Sequence, residues 1–249
     1  MAYIDFMSVV HKSTTRDYLA RVNDPNFPKA KAAERAKKWD FDYWDGDRRI
    51  NYGGYRYMEG RWEKVAKAMV DHYGIKAGDK ILDVGCGKGF LLYDFTKVVP
   101  GVELYGIDIS TYAIANAKEE IKDRLQVGNA NVLPFPDHHF DLVYSLNTLH
   151  NLHSYDLDPA LREIERVGKK NKYICVESYR NEVEKANLLY WQVTCEAFNT
   201  PEEWAWWFKQ TGYSGDYSFI YFECNADYDD ADDHESCSSS RTTRAVGHR

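Results

Sequence analysis

Residues 81–90 read Ile-Leu-Asp-Val-Gly-Cys-Gly-Lys-Gly-Phe, and this stretch decides the fold. An apolar, strand-like run leads into a G-x-G-x-G sequence, and an apolar, helix-like run begins immediately after it. Glycines in such a turn allow positive φ angles and the close approach of a ligand to bare backbone. A helix that begins there presents free N–H groups and the positive end of its dipole. The stretch therefore predicts a strand–turn–helix unit that binds an adenosine-bearing ligand.

Two features near the glycines indicate which ligand the turn takes. A dinucleotide-binding fingerprint would place a glycine at position 90, where the chain has Phe90. Asp83 adds a carboxylate at the strand end, which disfavours a pyrophosphate but suits the ammonium of a methionine-derived cofactor. Asp108 ends the next strand-like run, where a carboxylate can accept hydrogen bonds from both ribose hydroxyls. Together these residues favour a cofactor with an adenosyl and a methionine part.

The remainder of the chain alternates strand-like and helix-like runs. Apolar runs at 80–85, 103–109, 126–130, 140–146, 172–178 and 216–223 predict strands. The alternation predicts an α/β fold with a doubly wound, mostly parallel sheet. Helices are expected over 28–39 and 113–125, and a loop over 40–60. We expect residues 1–60 to form an N-terminal cap, 61–224 the cofactor-binding domain, and the acidic, serine-rich residues 225–249 a disordered tail.

Composition disfavours several classes of protein. Of the 249 residues, 44% are hydrophobic and 15% aromatic, which is typical of a packed globule. A formal net charge of −7 disfavours nucleic acid as a partner, and no apolar run reaches the length of a membrane span. The five cysteines form no C-x-x-C pair and the histidines have no metal-ligand spacing. We therefore expect a cytoplasmic protein without a metal that binds a small molecule; a homodimer is left open.

Four stretches resemble the class I S-adenosylmethionine-dependent methyltransferases: ILDVGCGKGF, LYGIDIS, VGNANVLPFPDHHFDLVYSLNTLHNL and KYICVES. The resemblance covers about residues 60–180 and implies a Rossmann-like fold with a seven-stranded sheet and S-adenosylmethionine as cofactor. In that family the glycine turn faces the methionine part, and the acid after the second strand binds the ribose. Carried over by position, the expected cofactor-binding residues are Asp83, Gly85, Cys86, Gly87, Gly89, Asp108, Ile109, Asn129, Ala130, Ser145 and Asn147. Asn129 stands where the family more often has Asp, and its amide oxygen can still accept from the adenine amino group.

A narrower resemblance concerns the acceptor of the methyl group. The stretches YWDGDRRINYGGYRYMEGRW and TPEEWAWWFKQTGYSGDYSFIYFE are similar to methyltransferases of bacterial surface-polysaccharide pathways. This implies O-methylation of a sugar or another small polar acceptor, and a hydroxyl needs a base to take its proton. His150, after the fourth predicted strand, is the candidate base, with a packing role as an equal alternative. His153 is the second candidate, and a solvated loop residue is its alternative.

The 40–60 segment interleaves aromatic rings with charges. It could be a lid that grips a polar acceptor and excludes water, or a loop whose rings pack on the sheet edge. We favour the lid, because Gly53 and Gly54 suit a hinge. The candidate substrate contacts are Arg49, Tyr52, Tyr55 and, at the end of the fifth strand, Glu177, for which a buried structural carboxylate is the alternative.

Two other functions stay open at this point. A nicotinamide-dependent oxidoreductase could use a similar fold, and the absence of glycine at position 90 argues against it. A non-catalytic, cofactor-binding partner subunit would have no acceptor pocket and would use the 40–60 segment as an interface.

Overall fold

The computed structural model of the protein describes residues 1–11, 18–19 and 24–223. The predicted tail, residues 225–249, lies outside the described residues. Within them, the chain forms one twisted parallel sheet with helices on both faces, as the alternating sequence pattern predicts.

The sheet contains six strands, each formed by one of the six strand-like runs. They are β1 (Lys80–Val84), β2 (Glu103–Asp108), β3 (Leu125–Val127), β4 (Phe140–Leu146), β5 (Gly168–Glu177) and β6 (Asp216–Ile220). Their order in the sheet is β3-β2-β1-β4-β5-β6, and all neighbouring pairs are parallel. The expectation of seven strands is wrong for the part of the chain that is described. Strand β6 pairs directly with β5 from Tyr173↔Asp216 to Glu177↔Ile220, and it is the last strand of the described chain.

Helices connect the strands and precede the first of them. They are α1 (Lys29–Ala36), α2 (Phe41–Trp44), α3 (Glu63–Tyr73), α4 (Phe90–Val98), α5 (Thr111–Ala115), α6 (Ser154–Val167), α7 (Glu182–Trp191) and α8 (Pro201–Thr211). Short 3-10 helices cover Phe6–Val9, Glu119–Arg124 and Leu149–Asn151.

Two expectations about local structure are corrected. The helix predicted over 113–125 is split into α5 and a 3-10 turn, because the Lys118 N–H donates to the Lys88 carbonyl (3.1 Å) instead of continuing the helix. The loop predicted over 40–60 contains α2, which begins where the Asp40 side chain accepts from the Phe41 N–H at 2.7 Å. In both places a contact of a single residue outweighs the average propensity of the segment.

Successive strand residues face opposite layers of helices. Leu82 and Val84 belong to the core that also contains residues of α6 and α8, whereas Ile81 belongs to the core with α3 and α4. A sheet buried on both faces explains why the strand sequences are apolar runs rather than alternating ones. Because all strands are parallel, their carboxyl ends meet at one edge, where ligands bind in open α/β sheets. Helices α1 and α2 pack at this edge in a separate cluster that includes Ile50, Ala113 and Val193.

Candidate functional site

A cavity of about 740 Å³ opens at the carboxyl edge of the sheet. This volume lies within the range of small-molecule and cofactor sites. Its lining residues come from the loops after β1, β2, β3 and β4, from Glu177 at the end of β5, from the stretch 191–196, and from the 39–62 segment, which contains the predicted 40–60 lid. The carboxyl ends of five strands therefore face the same space as the 39–62 segment.

The glycine turn after β1 has the backbone that only glycine adopts easily. The φ angles are +87° at Gly85, +54° at Gly87 and +73° at Gly89. A Cβ at Gly85 would overlap the Thr148 side chain, and one at Gly87 would lie 2.8 Å from the Trp44 ring. The close approaches at these glycines are therefore made by side chains of the protein itself, while Gly85 and Gly87 still line the cavity.

Asp108, at the end of β2, is held in place by the turn it faces. Its two carboxylate oxygens accept from the Gly87 N–H and the Ser110 N–H, each at 2.8 Å. Burial raises the pKa of Asp108, and the two backbone hydrogen bonds oppose that rise. The carboxylate lines the cavity, and each oxygen keeps a second lone pair that could accept from a ligand hydroxyl.

Asp83 presents a different kind of carboxyl group to the cavity. The residue is only 5% exposed, and its Oδ1 atom has no hydrogen-bond partner among the described residues. Burial raises the pKa of Asp83 well above its usual range; the nearby Tyr144 hydroxyl opposes this rise, and the charge of Asp108 adds to it. A buried acceptor without a donor is costly, so this oxygen is suited to a cationic or hydrogen-bonding ligand group.

Five other predicted cofactor-binding residues line the cavity, and two do not. Cys86, Ile109, Asn129, Ala130 and Asn147 also line the cavity. The Asn129 oxygen accepts from the Asn131 N–H at 3.2 Å and keeps one lone pair for a ligand.

Two of the predicted cofactor-binding residues do not line it. A Cβ on Gly89 would meet Ile121 and Leu125, so this residue faces the core beneath the turn. Ser145 is fully buried and donates to the Val84 carbonyl at 2.8 Å, which joins β4 to β1. Both residues support the turn from behind.

His150 and Glu177 form a buried pair among the residues that line the cavity. They are 2% and 7% exposed, and His150 Nε2 lies 3.4 Å from Glu177 Oε2. The Glu177 backbone N–H donates to His150 Nδ1 at 3.3 Å, and the Gln192 side chain donates to Glu177 Oε1. Burial lowers the pKa of His150 to about 3 and raises that of Glu177 to about 8. The ring is therefore neutral, and the carboxyl group changes its charge near pH 8.

The other predicted catalytic and substrate residues lie further out. His153 lines the mouth, where its ring stacks on Tyr155 and its Nδ1 lies 3.7 Å from Glu196 Oε2. Tyr52 and Tyr55 line the cavity. Arg49 does not, because it forms an ion pair with Asp47 and stacks over Phe27 with its guanidinium carbon 4.6 Å from the ring centre.

Comparison with known proteins identifies the family of this fold and site. The family described as "Methyltransferase domain" matches residues 75–212, which is more than half of the chain. The chain belongs to this methyltransferase family.

Individual relatives share part of their length with this methyltransferase. The demethylmenaquinone methyltransferase of Symbiobacterium thermophilum is 35% identical over 145 residues, which cover 53% of this chain and 57% of the relative. The phosphoethanolamine N-methyltransferase 1 of Zea mays is 27% identical over 174 residues, which cover 68% of this chain and 30% of the relative. The chain thus matches clearly less than two thirds of either relative.

A solved structure supports the fold alone. A chain of the complex between the Haloferax volcanii Trm112 methyltransferase activator and a methyltransferase superimposes with a TM-score of 0.50. The sequence identity is 23%, and the match covers 74% of this chain and 75% of the other.

The residues of the methyltransferase fit S-adenosylmethionine, the cofactor expected from its family. The unpartnered Oδ1 of Asp83 suits the α-ammonium of the methionine part, and the spare lone pairs of Asp108 suit the ribose hydroxyls. The helix α4 begins with Phe90 where a dinucleotide fingerprint would have glycine. Among the described residues, no group of three or more His, Cys, Asp or Glu side chains could hold a metal ion. None of the helices in residues 1–11, 18–19 and 24–223 combines the length and apolar character that a membrane span requires.

Sequence reasoning missed how the 39–62 segment is attached to the glycine turn. Lys88, between the second and third glycines, is itself buried and forms an ion pair with both oxygens of the partly buried Asp45 at 2.7 and 2.8 Å; it also donates to the Tyr55 carbonyl. Tyr112 also donates to Asp45, and the Trp44 ring donates to Ser110 at 2.9 Å. The lysine inside G-C-G-K-G was the available signal, because a charge in an apolar turn needs a partner.

This attachment lowers the energy of the charged Asp45. Although burial favours the neutral carboxyl, the hydrogen bonds from Lys88 and Tyr112 hold the pKa of Asp45 below its usual value. A carboxyl whose pKa is lower in the folded state stabilises the fold at neutral pH, and that contribution is lost as the pH falls through the carboxyl range.

Replacing Lys88 with methionine is expected to loosen the 39–62 segment. The change leaves the partly buried Asp45 without its cation, so we expect a loss of about 2 kcal/mol in the free energy of unfolding. Hydrogen exchange should accelerate at the Gly54 and Tyr55 amides, which donate to the Trp44 carbonyl at 3.1 and 2.9 Å.

The matched control is Lys169→Met, which breaks an ion pair of similar length (2.7 Å) with Asp141 on the surface. Exposed pairs contribute little, so this variant should lose less than about 1 kcal/mol and leave exchange at residues 52–55 unchanged. Equal effects of the two variants would contradict a role for Lys88 in attaching the segment.

Proposed function

We propose that this chain transfers the methyl group of S-adenosylmethionine to a hydroxyl of a small polar acceptor. The observation that carries the proposal is that two residues lining one cavity each have a buried carboxylate oxygen without a hydrogen-bond partner in the described part of the chain. Asp83 Oδ1 stands beside the glycine turn, and Glu177 Oε2 stands at the end of β5. The first is suited to the cofactor ammonium and the second to a hydrogen-bond donor on the acceptor.

The walls around Glu177 favour an acceptor that is both flat and polar. Tyr43, Tyr52 and Trp191 contribute aromatic surface to the cavity, and Gln192 and Asn151 contribute amide groups. A sugar ring has an apolar face and hydroxyl edges, so we retain a sugar hydroxyl as the proposed acceptor group. Relatives of the chain are named for demethylmenaquinone, sterols and phosphoethanolamine, which are chemically unlike one another. Their names therefore do not choose among acceptors.

The residues of the chain would have limited but specific tasks. When bound, S-adenosylmethionine supplies an already activated methyl carbon on a sulfonium. Asp108 and Asp83 would orient it from its two ends, and the 39–62 segment would cover the site and exclude water. The acceptor side must align a hydroxyl and receive its proton.

Binding and turnover assays test this function in two stages. S-Adenosylhomocysteine should raise the melting temperature of the protein, and NAD at equal concentration should not. The protein should then release S-adenosylhomocysteine from S-adenosylmethionine in the presence of one member of a panel containing glucose, myo-inositol, catechol and ethanolamine. Stabilisation by NAD alone would favour the oxidoreductase. Cofactor binding with turnover of ethanolamine alone, and a product methylated on its nitrogen by NMR, would replace the hydroxyl by an amine.

The non-catalytic alternative has less support. A cofactor-binding partner subunit would need no acceptor pocket, whereas the cavity extends beyond the glycine turn to His150 and Glu177. The 39–62 segment contacts the turn of its own chain through Lys88 and Ser110 rather than standing free as an interface.

A further inference from the structure

The neighbours of His150 determine which of its nitrogens carries the proton. Its Nδ1 faces the Glu177 backbone N–H at 3.3 Å, and a backbone N–H can only donate. The lone pair of a neutral ring is therefore used at Nδ1, and the ring proton is on Nε2. Because burial lowers the pKa of His150 to about 3, the ring stays in this form at neutral pH. His150 has no free lone pair to offer to an acceptor hydroxyl.

Glu177, unlike His150, has lone pairs that no described residue uses. One carboxylate oxygen, Oε1, accepts from the Gln192 amide, whereas Oε2 is buried in the cavity wall without a hydrogen-bond partner among residues 24–223. The His150 Nε2–H lies near Oε2 at 3.4 Å, which is too long for a strong hydrogen bond. This oxygen therefore has unused lone pairs and belongs to a residue that lines the cavity.

The groups around Glu177 leave its charge uncompensated. No lysine or arginine of the described chain forms an ion pair with it. The titratable groups that face it are His150 from the loop after β4, Tyr43 and Tyr52 from the 39–62 segment, Cys175 from its own strand, and Cys195 from the loop after α7. These groups are neutral near pH 7, so desolvation dominates and the pKa of the Glu177 carboxyl is raised to about 8. Such a carboxylate is a stronger base than one in water.

We infer that Glu177, and not His150, takes the proton from the acceptor hydroxyl, and that His150 is a positioning residue that holds Glu177. This inference rests on the proposed methyl transfer. As the acceptor oxygen forms its bond to the methyl carbon, the carbon–sulfur bond breaks and its electron pair stays on the sulfur. The hydroxyl proton passes to Glu177 Oε2 and later to solvent. His150 contributes by accepting from the Glu177 N–H and by placing its own N–H beside the carboxylate.

The pH dependence of turnover gives the first test, with the acceptor of the panel that is turned over. Wild-type kcat should rise with pH through an apparent pKa near 8, because the ionised carboxylate is the active form. Glu177→Gln should lower kcat at least 100-fold, should abolish this rise, and should leave the affinity for S-adenosylhomocysteine within about threefold. Wild-type kcat in Glu177→Gln would overturn the inference.

Two variants of His150 separate a base from a positioning residue. Glutamine can accept from the Glu177 N–H and donate towards its side chain, but it cannot take up a proton. His150→Gln should therefore keep kcat within about tenfold of the wild type and keep the rise near pH 8, whereas His150→Phe should lose much more. If His150→Gln were as inactive as Glu177→Gln, histidine would be the base and the inference would fail.

Nitrogen NMR on protein with ¹⁵N-labelled histidine gives a readout that needs no acceptor. The His150 signals, assigned by their loss in His150→Gln, should show a proton on Nε2 and no titration between pH 5 and 8. A proton on Nδ1, or titration in that range, would overturn the inference. If no acceptor is turned over, the proposed function fails, and this measurement still decides the state of His150.

Stability shows whether Glu177→Gln is merely misfolded. The folded-state pKa of Glu177 is above its unfolded value, so ionisation destabilises the folded protein as the pH rises from about 4.5 to 8. Glu177→Gln has no such charge and should melt at a higher temperature than the wild type above pH 8. A lower melting temperature at every pH would instead indicate a structural carboxylate.

Discussion

Replacing Asp108 with alanine is expected to weaken S-adenosylhomocysteine binding about 10- to 150-fold. Hydrogen bonds to a charged group contribute about 1.5–3 kcal/mol, and each 1.4 kcal/mol is tenfold in affinity. Asp108 is 9% exposed and lines the cavity, so in the variant few water molecules can take over the hydrogen bonds that its carboxylate would make to the ligand. The variant also frees the Gly87 and Ser110 N–H groups, which hold the turn in position. Isothermal titration well below the melting temperature measures the affinity.

The control for this variant is Asp141→Ala. Asp141 likewise accepts from a backbone N–H, that of Lys80 at 2.9 Å, but it stands at the opposite edge of the sheet. Asp141→Ala should lower stability somewhat and leave cofactor affinity unchanged. Unchanged affinity in Asp108→Ala as well would remove Asp108 from the cofactor site.

Alanine at position 85 should damage the turn more than alanine at another glycine with the same backbone angle. Gly85 has φ +87°, and its missing Cβ would overlap the Thr148 side chain. Positive φ costs a non-glycine residue about 1–2 kcal/mol, and overpacking adds about 1–3 kcal/mol. We expect Gly85→Ala to lose both amounts in the free energy of unfolding and to bind S-adenosylhomocysteine at least tenfold more weakly.

Gly78 separates the two causes. Its φ is +85°, and a Cβ there would have nothing within 4 Å. Gly78→Ala should therefore lose only the cost of the backbone angle and keep full cofactor affinity. Urea unfolding and titration of both variants give the comparison. If the two lost equal stability, the close packing of Thr148 on the turn would have no energetic weight.

Local patterns in the sequence predicted much of this architecture. Six apolar runs became six strands, and the glycines at 85, 87 and 89 all adopt positive φ. The position of Asp108 beside the turn followed from parallel strand order, because consecutive parallel strands end at the same edge. The roles of these residues in binding stay predictions until the variants are measured.

The structure departs from the predictions about individual site residues where the folded surroundings decide the direction or the protonation of a group. Ser145 and Gly89 stand at the predicted places along the chain, but neither lines the cavity. The Ser145 hydroxyl donates to the Val84 carbonyl, and a Cβ on Gly89 would meet Ile121 and Leu125. Arg49 belongs to the predicted segment, yet its ion pair with Asp47 keeps it outside the cavity. His150 lines the cavity, but burial lowers its pKa, and the Glu177 N–H occupies the Nδ1 lone pair that a base would need.

The sequence by itself determined the fold class, the parallel direction of the strands and the residues at the strand ends. These features depend on the alternation of strand-like and helix-like runs, on the conformation of glycine and on chain connectivity, all of which are encoded by residues close together in the sequence. Only the tertiary structure decided that Lys88 pairs with Asp45, 43 positions away. It also decided that His150 Nδ1 accepts from the Glu177 N–H, whereas Glu177 Oε2 has no hydrogen-bond partner in the described part of the chain. Such pairings and protonation states depend on distances and on exclusion of water, which exist only once the chain has folded.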